Sequence, residues 1–245
     1  MRTAAERQRA TAYSRTAVYY RTTVAISLVL TSALSALWVA LMPPFPPTAA
    51  EQLAAIADSG DTAVISSSAF IVAQLPFIIA LLGIAHLTAQ RTPILSAIGG
   101  ALGVIGGFGH AVFGGFQLVT IVMAPDVANR ELFAGLLESE PPLPLQVFMM
   151  AGTAGTVLGI LLLGIALMRA KVGQRWVPYA LWAFLVVEFV GSNLSEWAGL
   201  VAGLLYLGSF SALAVTVWRG TADSWTPVVA AGVPTAGAAA AVPRH

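Results

Sequence analysis

The chain has 245 residues, of which 58% are hydrophobic and only 9% charged, where ordinary soluble domains are about 25% charged. A mean hydropathy of +0.83 excludes a soluble domain carried on a single anchor. The lack of cysteine excludes disulfides, thiolate metal sites and thiol nucleophiles, and His86, His110 and His245 are too few and too scattered for a metal motif.

Residues 1–21 are polar and basic, with Arg2, Arg7, Arg9, Arg15 and Arg21 set against Glu6. The apolar run behind them is longer than the h-region of a signal peptide, about 7–15 residues, and lacks a small-x-small cleavage site. It reads as an uncleaved first span over 22–41. Met42-Pro43-Pro44-Phe45-Pro46-Pro47 ends it, because proline lacks the N–H and clashes with the preceding turn. Thr48 and Glu51 then have capping-box spacing and predict a short amphipathic helix over 49–59, apolar side down on the outer membrane surface. Gly60 is its stop, and Asp61 is placed to cap a second span over 64–87. That span holds Ser66, Ser67 and Ser68, which are expected in packing, Gln74 near its middle, and Pro76, which marks a kink. His86, at its end, reads as interfacial.

After the turn at Gln90-Arg91-Thr92-Pro93 comes a glycine-rich third span over 93–122. Positions Gly99, Gly103, Gly107, Ala111 and Gly115 recur every four residues and predict one continuous packing ridge of the small-xxx-small kind. A second outer loop, 124–144, pairs a short amphipathic helix over 127–138 with a proline-rich segment, as the first loop does. This suggests a weak repeat of architecture, two hairpins each carrying a surface helix. The fourth span covers 145–168, the fifth 176–193 with Pro178 in the permitted first turn, and the sixth 199–218. Residues 219–245, rich in Ala, Gly, Pro and Val without periodicity, read as a disordered cytoplasmic tail.

The expected fold is thus all-α: a polytopic membrane bundle of six transmembrane helices over 22–218, with two short amphipathic helices on its outer face. With the N-terminus inside, eleven of the twelve Lys and Arg residues are cytoplasmic and Arg130 alone lies outside, as the positive-inside rule requires. Both termini are then cytoplasmic, and the expected location is a bacterial inner membrane.

Glu188 is the only acidic residue within a span, and His110 the only histidine deep in one. Ionisable groups at such depth usually face a bundle interior or water. Counting about 1.5 Å per residue from the span centres places both roughly 3–4 Å to the outer side of the midplane. Gln74, Thr156 and Tyr206 fall within about one turn of that level, and Gln117 lies on the His110 face two turns further out. These six residues form the candidate pocket, centred on a His110–Glu188 pair that could bind a small polar solute, exchange a proton or sense external pH. The alternative is a buried hydrogen bond that sets helix register and holds no ligand.

Gly109-His110 followed by Gly114-Gly115-Phe116, and the fourth-span exit Leu163-Gly164-Ile165-Ala166-Leu167-Met168-Arg169-Ala170-Lys171, complete a familiar pattern of basic N-terminus and six spans. Together they resemble a broad group of uncharacterised bacterial six-span integral membrane proteins, over about residues 22–218. Where that group has proline and tryptophan after the exit, this chain has Gln174-Arg175-Trp176. The resemblance implies no activity and transfers no catalytic residue.

The functional expectation is small-solute or proton-linked transport or sensing through a polar pocket in the outer half of the bundle. Its rivals are a non-catalytic membrane subunit or scaffold assembling through the glycine-rich helix, and an intramembrane enzyme. The enzyme reading is the weaker, because one histidine and one carboxylate fall short of a metal site, and Gly191-Ser192-Asn193, at an outer turn, does not look like the serine site of a six-span serine protease. No metal, cofactor or nucleic acid is implied. The partner is the lipid bilayer, with a homo-oligomer or membrane protein partner left open.

Overall fold

A computed structural model describes residues 4–191, 194, 195, 197–221 and 225, with side chains from residue 15 onward. The described residues form eight α-helices and no strand: α1 (Ala4–Leu41), α2 (Ala49–Ser59), α3 (Asp61–Ala89), α4 (Pro93–Met123), α5 (Arg130–Glu138), α6 (Leu143–Ala170), α7 (Val177–Phe189) and α8 (Ala198–Arg219). Residues 15–41 of α1, together with α3, α4, α6 and α8, give five helices long and apolar enough to cross a bilayer. Leu75, Met150 and Leu204 are each about 70% exposed on their outer faces, a pattern suited to lipid and costly in water. These are the features of a multi-pass integral membrane protein.

Helix ends follow from local chemistry. The prolines after Met42 stop α1. Thr48 caps α2, its hydroxyl accepting from the Glu51 N–H at 3.3 Å and donating to Glu51 Oε2 at 2.8 Å. Gly60 closes α2 with φ of +52°, a conformation open to glycine and costly for side-chain-bearing residues. The same Gly60 is also the N-terminal cap of α3. Asp61 does not cap that helix, as the sequence had suggested, but lies in its first turn, where a carboxylate complements the helix dipole. At the start of α1 the helix already runs from Ala4, so the basic segment is continuous with the span that follows it.

The fifth expected span is shorter than the sequence predicts. α7 has 13 residues, about 20 Å at 1.5 Å per residue, against a hydrocarbon core of about 30 Å. Beyond Val190 the chain turns on the Gly191 carbonyl, which accepts from the N–H groups of Leu194 at 2.8 Å and Ser195 at 3.0 Å. Ser192, Asn193 and Glu196 of the expected polar turn lie outside the described residues.

Contacts at the two ends of the bundle show that neighbouring helices run antiparallel. At one end Arg21 donates to the Gly220 carbonyl at 2.7 Å and the Arg91 guanidinium to the Ala170 carbonyl. Thr216 donates to Gln174 at 3.4 Å at the same end, and Thr88 is 2.7 Å from the Ser96 hydroxyl. At the other, Ser66 donates to the Trp38 carbonyl at 2.9 Å. There α2 and α5 pack together through Ala49, Leu53 and Ala134, with Ala124 at the end of α4 in the same cluster, and Glu138 accepts from the Ala49 N–H at 3.2 Å. Each short helix belongs to one hairpin connection, and Phe133 and Leu137 turn toward the shared contact while Leu132 and Leu136 remain exposed.

The disordered tail expected over 219–245 does not hold at Trp225. Its side chain is 3% exposed and its ring stacks on His86 with centroids 5.2 Å apart. His86 is thus half-buried beneath an indole. Residues 222–224 and 226–245, His245 among them, lie outside the described residues.

The glycine ridge also needs correction. Gly99, Gly103, Gly107, Ala111 and Gly115 do not face one neighbour, because a four-residue step overshoots a 3.6-residue turn by about 40° and four steps sweep about 160° round the helix. A Cβ at Gly99 would meet Leu163 of α6 at 2.9 Å, one at Gly107 would meet Ile78 of α3 at 2.6 Å, and one at Gly115 would meet nothing within 4 Å. The closest helix approach instead uses Gly103, Gly106 and Gly109 of α4 against Gly159, Gly155 and Gly152 of α6. A Cβ at Gly106 would lie 2.5 Å from the Thr156 nitrogen, and one at Gly155 would lie 2.6 Å from the Gly106 nitrogen. Backbone meets backbone there, which is how helices associate where lipid removes the hydrophobic drive.

Candidate functional site

All six bundle helices contribute to one cavity of about 270 Å³. α3 supplies Gln74, α4 His110, α6 Thr153 and Thr156, α7 Glu188 and α8 Tyr206, while α1 supplies Thr31, Ser35 and Trp38. Five of the six expected pocket residues, drawn from five different helices, therefore line the same space. Gln117 does not.

The polar groups are held by local structure. Pro76 has no N–H to offer the Val72 carbonyl, so α3 carries an opened turn beside the cavity. One residue on, the Ala73 carbonyl accepts a hydrogen bond from Thr31 Oγ1 at 3.1 Å. The Tyr206 hydroxyl lies 3.4 Å from the same Thr31 oxygen, linking α1, α3 and α8 through one hydroxyl. Gln74 donates through Nε2 to the Phe70 carbonyl one turn back at 2.8 Å. The Thr156 hydroxyl is buried and has no hydrogen-bond partner. His110 sits where α4 and α6 are closest: a Cβ on Gly152 would come within 2.9 Å of its Cδ2. The missing side chain at Gly152 thus makes room for the imidazole, whose other neighbour is the Phe70 ring at 5.8 Å.

Gln117 lines a second cavity of about 210 Å³, nearer the α2–α5 end of the bundle. Its walls include Pro43, Pro44 and Phe45 of the α1–α2 connection, Gln52 and Ile56 of α2, Ser66 and Ser67 of α3, and Leu137 of α5. The Gln117 Oε1 atom is buried without a hydrogen-bond partner. Trp38 and Phe113 border both cavities. Phe70 packs on each, at 4.7 Å from Trp38 and 6.2 Å from Phe113 between ring centroids. Three aromatic rings therefore form the partition between the inner cavity and the outer one.

Sequence reasoning missed Thr31, Ser35 and Trp38, and it missed the aromatic wall altogether. A usable signal was present. Residues 31, 35 and 38 recur at helical spacing on one face of α1, as 70, 74 and 77 do on α3. Among the described residues, no three His, Cys, Asp or Glu side chains are grouped to hold a metal ion.

Comparison of the chain with protein-family models, with curated proteins and with solved structures returned no match. A functional reading therefore rests on the geometry.

Proposed function

We propose that this chain is a six-span protein of a bacterial cytoplasmic membrane, both termini inside, that binds a small solute in the inner cavity for transport or sensing. The observation that carries the reading is convergence: Gln74, His110, Thr156, Glu188 and Tyr206 come from five helices to one cavity. A bond kept only to set helix register needs two of these groups and no space. Burying this many polar side chains among apolar helices is costly in a bilayer, and a bound solute offsets that cost.

Six passes are supported by where the ends of α7 and α8 lie. Gln174, just before α7, bonds Thr216 near the end of α8, while Gly191, just after α7, lies against Ala198 at the start of α8. The chain between them travels from one end of the bundle to the other, although only 13 of its residues are in α7. Orientation is supported by charge. Arg21, Arg91, Arg169, Lys171, Arg175 and Arg219 belong to the end that the rule assigns to the cytoplasm, and the acidic α2 and α5 region to the opposite end. In this reading the exposed Leu132 and Leu136 of α5 rest against the lipid surface. The scaffold alternative has less support, since the α4 glycines meet α3 or α6 within the same chain at every position except Gly115.

Because the chain has no cysteine, single-cysteine labelling needs no altered background. In intact cells, Ser35→Cys and Thr153→Cys are expected to react with a small charged thiosulfonate from outside, and the lipid-facing Leu204→Cys is not. Absence of labelling at both cavity positions, from either side of the membrane and in folded protein, removes the solute-site reading. The same method tests topology: Ser195→Cys should be labelled from outside and Gln174→Cys only after permeabilisation. Equal behaviour of that pair would leave five spans.

A further inference from the structure

Three polar side chains of the inner cavity gather where α3, α4 and α6 meet, and they define a ligand class; this inference rests on the solute-site reading above. His110 and Thr156 border the same glycine contact, one turn beyond Gly106 on α4 and one turn beyond Gly152 on α6. A Cβ on Gly106 would lie 2.5 Å from the Thr156 hydroxyl, and one on Gly152 would lie 2.9 Å from His110 Cδ2. Gln74 joins them through Phe70, whose ring centroid is 5.8 Å from that of the imidazole and whose carbonyl accepts one Gln74 N–H at 2.8 Å. All three residues keep unused hydrogen-bonding capacity. Among the described residues, neither ring nitrogen of His110 nor the side-chain oxygen of Gln74 has a hydrogen-bond partner, and both residues line the cavity. Thr156 is 5% exposed with its hydroxyl unpartnered, a cost that a bound partner removes. A neutral imidazole presents one donor and one acceptor, and a hydroxyl presents both. The complementary head group is therefore donor and acceptor at once.

The rest of the lining sets charge and shape. Among the described residues no Lys or Arg lines the space, and Glu188 already has a partner. Nothing here selects a charged solute of either sign, and burying one at this depth is costly. A polyol carries more hydroxyls than one such cluster can pair. Seven of the lining side chains are aromatic, among them Trp38 with Phe70 at 4.7 Å and Phe184 with Tyr206 at 4.9 Å. We propose that the cavity takes a small neutral aromatic alcohol or amide, its rings among these aromatic pairs and its hydroxyl or carboxamide on His110 and Gln74. Thr156 reaches the same head group by a χ1 rotation away from Gly106. An apolar cavity of about 150 Å³ holds benzene, so a space of about 270 Å³ suits two fused rings. Contacts between rings favour an aromatic body over a saturated one of the same outline.

The test uses the full-length protein in lipid nanodiscs, with binding to empty nanodiscs subtracted, and four probes of one outline. These are naphthylmethanol, ethylnaphthalene (methyl in place of hydroxyl), naphthylmethylammonium (a cation) and decalylmethanol (the rings saturated). Naphthylmethanol is expected to bind saturably and to raise the melting temperature, with ethylnaphthalene and the ammonium each weaker by about ten-fold or more. Decalylmethanol is expected to be weaker by about two- to ten-fold. His110→Leu is expected to weaken naphthylmethanol by about ten-fold while leaving ethylnaphthalene unchanged, and His110→Gln to keep most of the preference for the alcohol. Gln74→Leu should lower the same preference, and it guards against a His110 variant that fails to fold. Equal binding of the alcohol and ethylnaphthalene, or variants that weaken both alike, overturns the head-group assignment. Tighter binding of the ammonium overturns neutrality, and equal binding of decalylmethanol overturns the aromatic body. Each of these results leaves the solute site standing. If none of the four binds at millimolar concentration to folded protein, the ligand assignment fails, and the cysteine-labelling result decides whether the cavity reading fails with it.

Discussion

Replacing Gly106 with valine is expected to cost about 3 kcal/mol or more, a large fraction of the roughly 5–15 kcal/mol that separates a folded domain from its unfolded state. The first atom added is already in conflict. A Cβ at Gly106 would lie 2.5 Å from both the nitrogen and the hydroxyl of Thr156 and 2.9 Å from the Gly155 carbonyl carbon. Two of these atoms are backbone, so no rotamer change relieves the contact and α6 must move as a body. Thr156 and the His110–Gly152 contact would move with it, so the cavity would be lost together with the packing. Gly115→Ala and Gly208→Ala are the controls: neither Cβ meets an atom within 4 Å, and alanine is the better helix former by about 1 kcal/mol. Thermal unfolding in detergent, followed by size-exclusion chromatography, reads the difference. A Gly106→Val protein that melts within a few degrees of the parent would show that α4 and α6 are not in backbone contact.

The contrast between Gly106 and Gly115 also marks how far the sequence could be read. Long apolar runs bounded by Pro43, Pro93 and Pro178 made the helices and most of their ends legible, because length and proline act locally. Thr48, Glu51 and Gly60 likewise announced α2. The packing partner of each glycine was not legible. Spacing alone yields a repeat, but which neighbour a residue meets depends on accumulated rotation, and a 40° error per step is enough to turn Gly115 away from the bundle. The length of α7 was hidden for a related reason. Its apolar composition continues past Phe189, and the turn that ends it is made by backbone hydrogen bonds to the Gly191 carbonyl.

Depth in the membrane was the informative variable for the site. Counting residues from span centres set His110 and Glu188 at one level, with Gln74, Thr156 and Tyr206 within about one turn of it, and all five line one cavity. Gln117, two turns further out, falls in the next chamber, so the same count also held the information that it was separate. Face was harder to read than depth. Trp38, near the end of its span, has the position of an interfacial tryptophan, yet it borders both cavities. An aromatic residue near a span end satisfies either role, and only the rings of Phe70 and Phe113 beside it decide between them.

Gly203 offers the sharpest separation of a ligand site from a purely structural polar cluster. It lines the inner cavity, one turn before Tyr206 on α8, and a Cβ placed there meets no atom within 4 Å. Leucine at this position should therefore grow into free space. Removing glycine from a helix interior favours the fold by up to about 1 kcal/mol, so the melting temperature of Gly203→Leu is expected to match or exceed that of the parent. Ligand binding should move the other way. A side chain occupying part of a 270 Å³ space should weaken a solute held there by roughly ten- to two-hundred-fold, the range associated with small steric mismatches in a pocket. Labelling of Thr153→Cys in the same background should slow as well, since its approach through the cavity narrows. Stability and binding thus shift in opposite directions, an outcome that a register-setting hydrogen bond does not produce. A Gly203→Leu protein that is folded and labels at Thr153→Cys as fast as the parent does would place the accessible space elsewhere. One that unfolds would show that the space beside Gly203 is closed in the folded protein.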